Sequence, residues 1–397
     1  MTSPKTISNP CELTPLAMGV MKANRTDKFF ATVSDIHLAH PRTNTYHIIE
    51  SLRQAFPDNA ETGNLDIIFF AGDVFDRLMN LPQDEVDAIQ EWIADFLKIC
   101  VKWNILVRVL EGTPSHDWHQ SKQFVNVNSA LEIQANLKYV ETLSIEVINE
   151  LGGMSVLYVP DEWNADASVT WSQVQELLSI HGMQKVDIAC MHGSFDYQLP
   201  IQSPKNHNSE NYQSIVRHYI TIGHVHIRSE NGIILAQGSL DRLSHGEEAA
   251  KGHYRACISQ DGNYHWFVEN TNAKIYKTLD CREMELTEVF ETMEEMENFP
   301  DGSYFRLLIK RDSVVHHGLK DLRKRFPQFT ITTQMDELKR AEDAHLLHAY
   351  DQNTIVKPIT ITPTNVWQVL DEHMRKKYPD IPANQAQSIA KVLEKYK

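Results

Sequence analysis

Five short runs of Asp and His recur along this chain, each directly behind an apolar stretch. They are Asp35-Ile36-His37, Gly72-Asp73-Val74-Phe75-Asp76, Ser115-His116-Asp117, Met191-His192-Gly193 and Gly223-His224-Val225-His226. The stretches FFATVS at 29–34, LDIIFFA at 65–71 and ILVRVL at 105–110 have strand length and read as buried strands. Between them, 46–56 has helical spacing, and so has 84–103, with Val86, Ile89, Ile93, Phe96, Leu97 and Cys100 on one face. Strand–helix alternation with polar residues at strand C-terminal ends predicts an α/β sheet whose site lies along that edge. Further strands are expected at 156–159, 186–191, 219–222 and 233–236. The expectation for 28–270 is a two-layered β core flanked by helices.

Outside that body the composition changes. Residues 1–27 carry no basic-then-apolar leader pattern and read as a partly ordered extension. Residues 271–340 read as a small α+β unit: an acidic helix at 283–297, a strand at 304–310, a basic helix at 319–326 and a strand at 329–333. Residues 341–397 read as a Pro-containing linker and two short amphipathic helices, 365–378 and 384–396.

Five widely scattered cysteines form no disulfide framework or zinc-knuckle spacing, which fits a reducing cytoplasm. No apolar run approaches the ~20 residues of a membrane span, so no membrane partner is expected. The formal net charge of −15 argues against gripping nucleic acid by bulk charge. An acidic protein still acts on DNA when metals or a partner supply the local positive field.

Carboxylates mixed with imidazoles favour manganese, iron or zinc over calcium. Two cations about 3.5–4 Å apart hold a phosphate and the attacking oxygen together. Asp73, at the end of a buried strand, is the candidate bridging carboxylate. Asp35 and His37 alternate along a segment read as extended, so both can face one way; His224 and His226 share the i, i+2 relation, and His192 completes the second position. His116 is placed to assist the departing oxygen, with Asp117 orienting it. Read blandly, these are turn and capping residues at strand ends, and Asp76 is a helix N-cap.

In this order the clusters resemble the calcineurin-like metallophosphoesterase superfamily. A further run, Gln237-Gly238-Ser239-Leu240-Asp241-Arg242 with Gly246-Glu247-Glu248 and Lys251-Gly252, is similar to the SbcD-type DNA-repair nucleases. The resemblance covers roughly 28–260 by motif. It implies a two-sheet β-sandwich core, a capping domain over 271–340, and C-terminal helices that dock on an SbcC-like coiled-coil ATPase. It further implies a homodimer, and DNA cleaved as exonuclease and endonuclease with two divalent ions, Mn2+ foremost. Carried over by position, Asp35, His37, Asp73 and His226 hold one metal, and Asp73, His192 and His224 the other. His116 matches the catalytic histidine, and Asp76 and Arg242 fall near the substrate phosphate. The family's third motif is Gly-Asn-His-Asp, and here Ser115 is read in the Asn place, a shorter ligand. The second metal is then weaker, bound through water, or completed by substrate.

Two other readings stay open. One is a calcineurin-like phosphatase or phosphodiesterase on a non-DNA substrate; the other is a weakly catalytic scaffold subunit. The basic residues Lys310, Arg311, Lys320, Arg323, Lys324 and Arg325 are either a solvated face or a DNA path. Val366, Val369, Leu370, Ile389, Val392 and Leu393 either pack on the body or meet the ATPase. His119, three residues past His116, has no assigned role.

Overall fold

The computed structural model describes residues 14–79, 84–161, 164–201, 203–310 and 313–335. All of these residues belong to one compact unit, which ends at residue 336. The expected linker and helices of 341–397 lie outside the described residues.

The strands are β1 (Lys28–Val33), β2 (Ile67–Ala71), β3 (Leu106–Leu110), β4 (Leu137–Val140), β5 (Ser144–Ile148), β6 (Met154–Val159), β7 (Val186–Gly193) and β8 (Val216–His224). They continue with β9 (Ser229–Asn231), β10 (Ile234–Ala236), β11 (Gly252–Ile258), β12 (Tyr264–Glu269), β13 (Tyr276–Asp280), β14 (Tyr304–Ile309) and β15 (Thr330–Met335). Among the described residues they build two six-stranded mixed sheets, ordered β12-β11-β1-β2-β3-β4 and β5-β6-β7-β8-β10-β9.

The alternation of side chains along each central strand sorts the core into layers. Ala31, Val33, Ile68, Phe70, Val107 and Val109 face outward onto the helices at 45–55 and 84–103, meeting Ile48, Leu52, Ile89, Ile93 and Phe96. Phe30, Ile67, Phe69, Leu106 and Leu110 face inward, against Val156, Tyr158, Ile188, Cys190 and Tyr219 of the second sheet. The far side of that sheet, with Leu157, Ala189, Met191, Ile220 and Ile222, packs on Val174, Leu178, Tyr212 and Ile215. This is the two-sheet α/β core flanked by helices that the sequence predicts. It needs apolar residues on both faces of β1–β3, which explains their unbroken apolar runs.

Residues 14–27 are more ordered than expected. Thr14 caps a helix, Pro15–Asn24, with Pro at its first turn. Its Lys22 is buried, and its ammonium donates to the carbonyls of Leu65, Trp103 (2.8 Å) and Asn104 (3.3 Å). Burial lowers the Lys22 pKa to about 8.

Residues 276–335 form a three-stranded sheet, β13-β14-β15, parallel throughout. Helices Leu286–Glu294 and Val314–Arg325 cover it, and Phe305, Leu307, Val289, Leu322 and Phe326 fill the space between. The second helix starts earlier than expected because Ser313 caps it at Val315. β13 was not expected at all: Tyr276–Asp280 mixes polar and apolar residues and pairs along one edge of β14. Among the described residues no helix is long and apolar enough to cross a membrane.

Candidate metal centre

The C-terminal ends of β1, β2, β3, β7 and β8 meet at one edge. Past the strand ends the loops after β1 and β2 stay paired: Asp35 N–H donates to Gly72 O, Ile36 and His37 N–H to Asp73 O, and Leu38 N–H to Val74 O, at 2.8–3.1 Å. His192 ties the sheets together by donating its Nδ1–H to Ala71 O at 2.7 Å.

Four of the side chains at this edge come from left-handed backbone: Asp35 (φ 50), His37 (φ 55), Asp73 (φ 50) and His224 (φ 100). The expectation that Asp35 and His37 lie on an extended segment is therefore corrected. Alternate left-handed residues, not strand period, turn both toward the site. Such conformations cost about 1–3 kcal/mol each in non-glycine residues and persist only where the surroundings fix them. Two glycines make the packing possible: a Cβ at Gly72 would strike the His192 ring, and one at Gly112 would strike the Asp73 amide.

The side chains gather into three groups with ligand atoms within 4.8 Å of one another: the triads Asp35/His37/His226 and Asp73/His192/His224, and a third, His37/Asp76/His116, that shares His37 with the first. Asp73 stands between the first two triads, with Oδ1 3.3 Å from His192 Nε2 and Oδ2 4.0 Å from His37 Nε2. His37 Nδ1 lies 3.0 Å from Asp76 Oδ1, and His226 Nδ1 3.2 Å from Glu247 Oε1. A carboxylate partner assigns the proton to Nδ1 in both rings. Yet the two Nε2 atoms face each other at 3.1 Å. Two lone pairs at that separation repel unless a cation or proton lies between them. His192 repeats the pattern: its Nδ1–H is used by Ala71, so Nε2 turns a lone pair toward the Asp73 carboxylate. Both triads thus present converging acceptors, the chemistry of a divalent-cation site.

The electrostatics agree. Burial works against Asp73 ionising, but His192, His37 and the Thr113 amide override it and hold the carboxyl well below its usual range. Burial likewise opposes a charge on His192, but Asp73 and Asp35 lift its pKa to about 10. Burial and the neighbouring His192 lower that of His224. Against burial, Glu247 and Asp35 raise that of His226. With cations in place, those attractions would act on the metal rather than on a proton.

Several assigned roles change. Ser115 is exposed, and its carbonyl takes the Trp118 indole N–H at 2.8 Å. The hydroxyl at the second triad belongs to Thr113, whose Oγ1 lies 3.2 Å from Asp73 Oδ2, 3.3 Å from His192 Nε2 and 3.4 Å from His224 Nδ1. The hydroxyl that reaches the second triad thus comes from the residue directly after Gly112, not from Ser115.

Asp117 does not orient His116. Fully buried, its carboxylate accepts N–H groups from Gly112 (2.7 Å), Phe75 (2.9 Å) and Asp73 (3.1 Å), clamping two strand-end loops. Burial, with Asp73 and Glu111 nearby, pushes its pKa up. His116 instead has Nδ1 3.0 Å from the Asp76 carbonyl and 3.9 Å from its carboxylate, and its ring centroid is 5.0 Å from that of His37. Asp76 therefore holds His37 and His116 rather than facing outward to a substrate. The Arg242 guanidinium donates to Lys274 O at 3.1 Å, toward the 276–335 unit, and makes no contact with either triad among the described residues.

Glu247 also takes Lys251 Nζ at 2.9 Å, and that ammonium donates to His226 O and Ser239 Oγ, each at 2.8 Å. This gives the Glu-x-x-x-Lys run a concrete task, fixing His226. Asp161, beyond β6, acts electrostatically on His192 and His224 and was missed because no histidine accompanies it. In the basic run, Arg323 binds Ile331 O, Arg325 pairs with Glu294 and Glu297, and Lys310 with Glu283. Those three are engaged within the unit.

No family model matches this chain. No curated protein matches it either. Among solved structures it is similar to TT1561 of Thermus thermophilus, at 12% identity and TM-score 0.36, covering 60% of this chain and 98% of that one. A second solved structure aligns at 11% identity and TM-score 0.35, covering 62% of this chain and 100% of that one. Likenesses this low carry no functional argument, and the reading rests on the site itself.

Proposed function

We propose that this chain is a two-metal phosphodiesterase acting on DNA, of the SbcD type within the calcineurin-like superfamily. The observation that carries the reading is the placing of one carboxylate, Asp73, between two triads whose remaining donors converge on each other. Asp35, His37, Asp73 and His226 would hold one cation, and Asp73, His192 and His224, with Thr113 beside them, the other. The cations would supply charge to offset a phosphoryl group's developing negative charge and a nucleophile at neutral pH. Mn2+ suits a donor set of carboxylate, imidazole and hydroxyl.

The chain's own part is positional. Asp76 and Glu247 fix the first triad's imidazoles with Nε2 inward. Asp117 holds the Gly112 and Asp73 loops in register. His116, its Nδ1–H held by the Asp76 carbonyl, leaves Nε2 free; as an imidazolium it would give that nitrogen's proton to the departing sugar oxygen. DNA, a homodimer and an SbcC-like ATPase remain the proposed partners, with 341–397 the proposed docking segment.

The test pairs metal analysis with cleavage of linear DNA in Mn2+ by wild type and Asp73→Asn. Two bound ions and cleavage in the wild type, both lost in the variant, support the reading; a wild type that binds no metal and leaves DNA intact overturns it. Cleavage of small phosphate esters alone would instead favour the non-DNA phosphatase reading.

A further inference from the structure

Two residues past His116 the chain makes a turn that ordinary sequences avoid. Trp118 (φ 47, ψ 35) and His119 (φ 57) are consecutive left-handed residues, and for a side chain as bulky as Trp that region is an outlier. The turn is bolted at both ends by buried carboxylates. Asp117 takes three strand-end amides, as above. Glu111 accepts the His119 N–H at 2.7 Å and the Tyr139 hydroxyl at 2.6 Å, with His119 Nδ1 at 3.4 Å.

The outcome of this construction is an exposed ring. Trp118 is 52% exposed, its indole N–H is tied to Ser115 O, and among the described residues no other ring packs on it. Trp118 directly follows the short helix Pro114–Asp117, which carries His116. On the other flank of the first triad, Ile227, 57% exposed, directly follows His226. An indole held in place with an exposed face, two residues along the chain from His116, is suited to stack on a base. In a chain of net charge −15, affinity for a polyanion cannot come from bulk charge, and base stacking is the sequence-tolerant alternative.

We propose that Trp118 stacks on an unpaired nucleobase flanking the scissile phosphate. This inference rests on the reading of the centre as a DNA phosphodiesterase.

The test is a cycle in Mn2+: wild type, Trp118→Phe and Trp118→Ala against a single-stranded oligonucleotide and the same length carrying runs of abasic spacers. Wild type should lose about tenfold in kcat/KM, through KM, on abasic DNA, the loss of one base–aromatic stack. Trp118→Ala should show that loss already on the normal strand and little more on the abasic one, with Trp118→Phe retaining most of the wild-type value. Independent, additive losses, or no loss on the normal strand, overturn the inference. If wild type cleaves neither strand the nuclease reading fails, and binding then decides Trp118 separately. Fluorescence quenching by the normal but not the abasic strand, absent in Trp118→Phe, supports stacking; its absence in wild type overturns it.

Discussion

Asp73 stands between the two triads, which are supported differently. In the first, each imidazole is backed by a carboxylate, His37 by Asp76 and His226 by Glu247. In the second, His192 is backed by a peptide carbonyl and His224 meets the Thr113 hydroxyl, with Asp161 acting electrostatically on both rings. A carboxylate behind an imidazole raises its donor strength more than a neutral carbonyl does. The first position is therefore expected to fill at lower metal concentration than the second, and a calorimetric Mn2+ titration should show two separated phases.

The largest effect should come from the carboxylate between them. Asp73→Asn removes the bridging charge, so both phases should collapse and DNA cleavage should fall by at least about a thousandfold; survival of either phase would break the picture of one carboxylate serving two positions. Next, Asp117→Ala leaves three buried amides without an acceptor, at about 1–3 kcal/mol each. Urea denaturation should show a loss of a few kcal/mol, whereas a mere His116 orienter would alter activity with little change in stability. Asp76→Asn or Glu247→Gln should weaken the first phase about 10–100-fold and spare the second. Thr113→Asn should strengthen only the second phase, and Ser115→Ala should leave both within about twofold, the scatter expected of an exposed side chain.

Acid release of metal must be told apart from acid unfolding. His207 and His253 are kept neutral by burial, with folded values of about 4 and about 3 against the usual 6.5. The unfolded chain takes up those protons first, so their contribution is complete above pH ~6.5 and is lost as pH falls toward 4. The melting temperature of the metal-free protein should decline across that window, and less steeply in His253→Asn.

Much of this was legible beforehand. The apolar runs at 29–34, 65–71 and 105–110 marked the central strands because burial on both faces leaves no polar position. The residues of the two triads stood out because each of their clusters closes a strand. β4, β5, β9, β12 and β13 were not foreseen, since edge and half-exposed strands mix polar and apolar residues and their pairing is set by neighbours distant in sequence; β11, buried throughout, was missed because His253 and Arg255 interrupt its apolar run. Ser115 was read beside the second triad because it adjoins His116 in the sequence, whereas Gly112, pressed against Asp73, brings Thr113 there instead. Asp117 was given a catalytic task because adjacency to His116 is visible in a sequence, while the three amides it accepts come from residues 73, 75 and 112.

The sequence by itself determined the layers and the chemical types assembled at one edge, since burial and strand period are local properties that a run of residues already encodes. Which hydroxyl meets the second triad, which carboxylate steadies which imidazole, and that Asp35, His37 and Asp73 turn inward through left-handed backbone were decided only by the tertiary structure. Those choices depend on loops held side by side by hydrogen bonds between distant segments, and no local pattern carries that information.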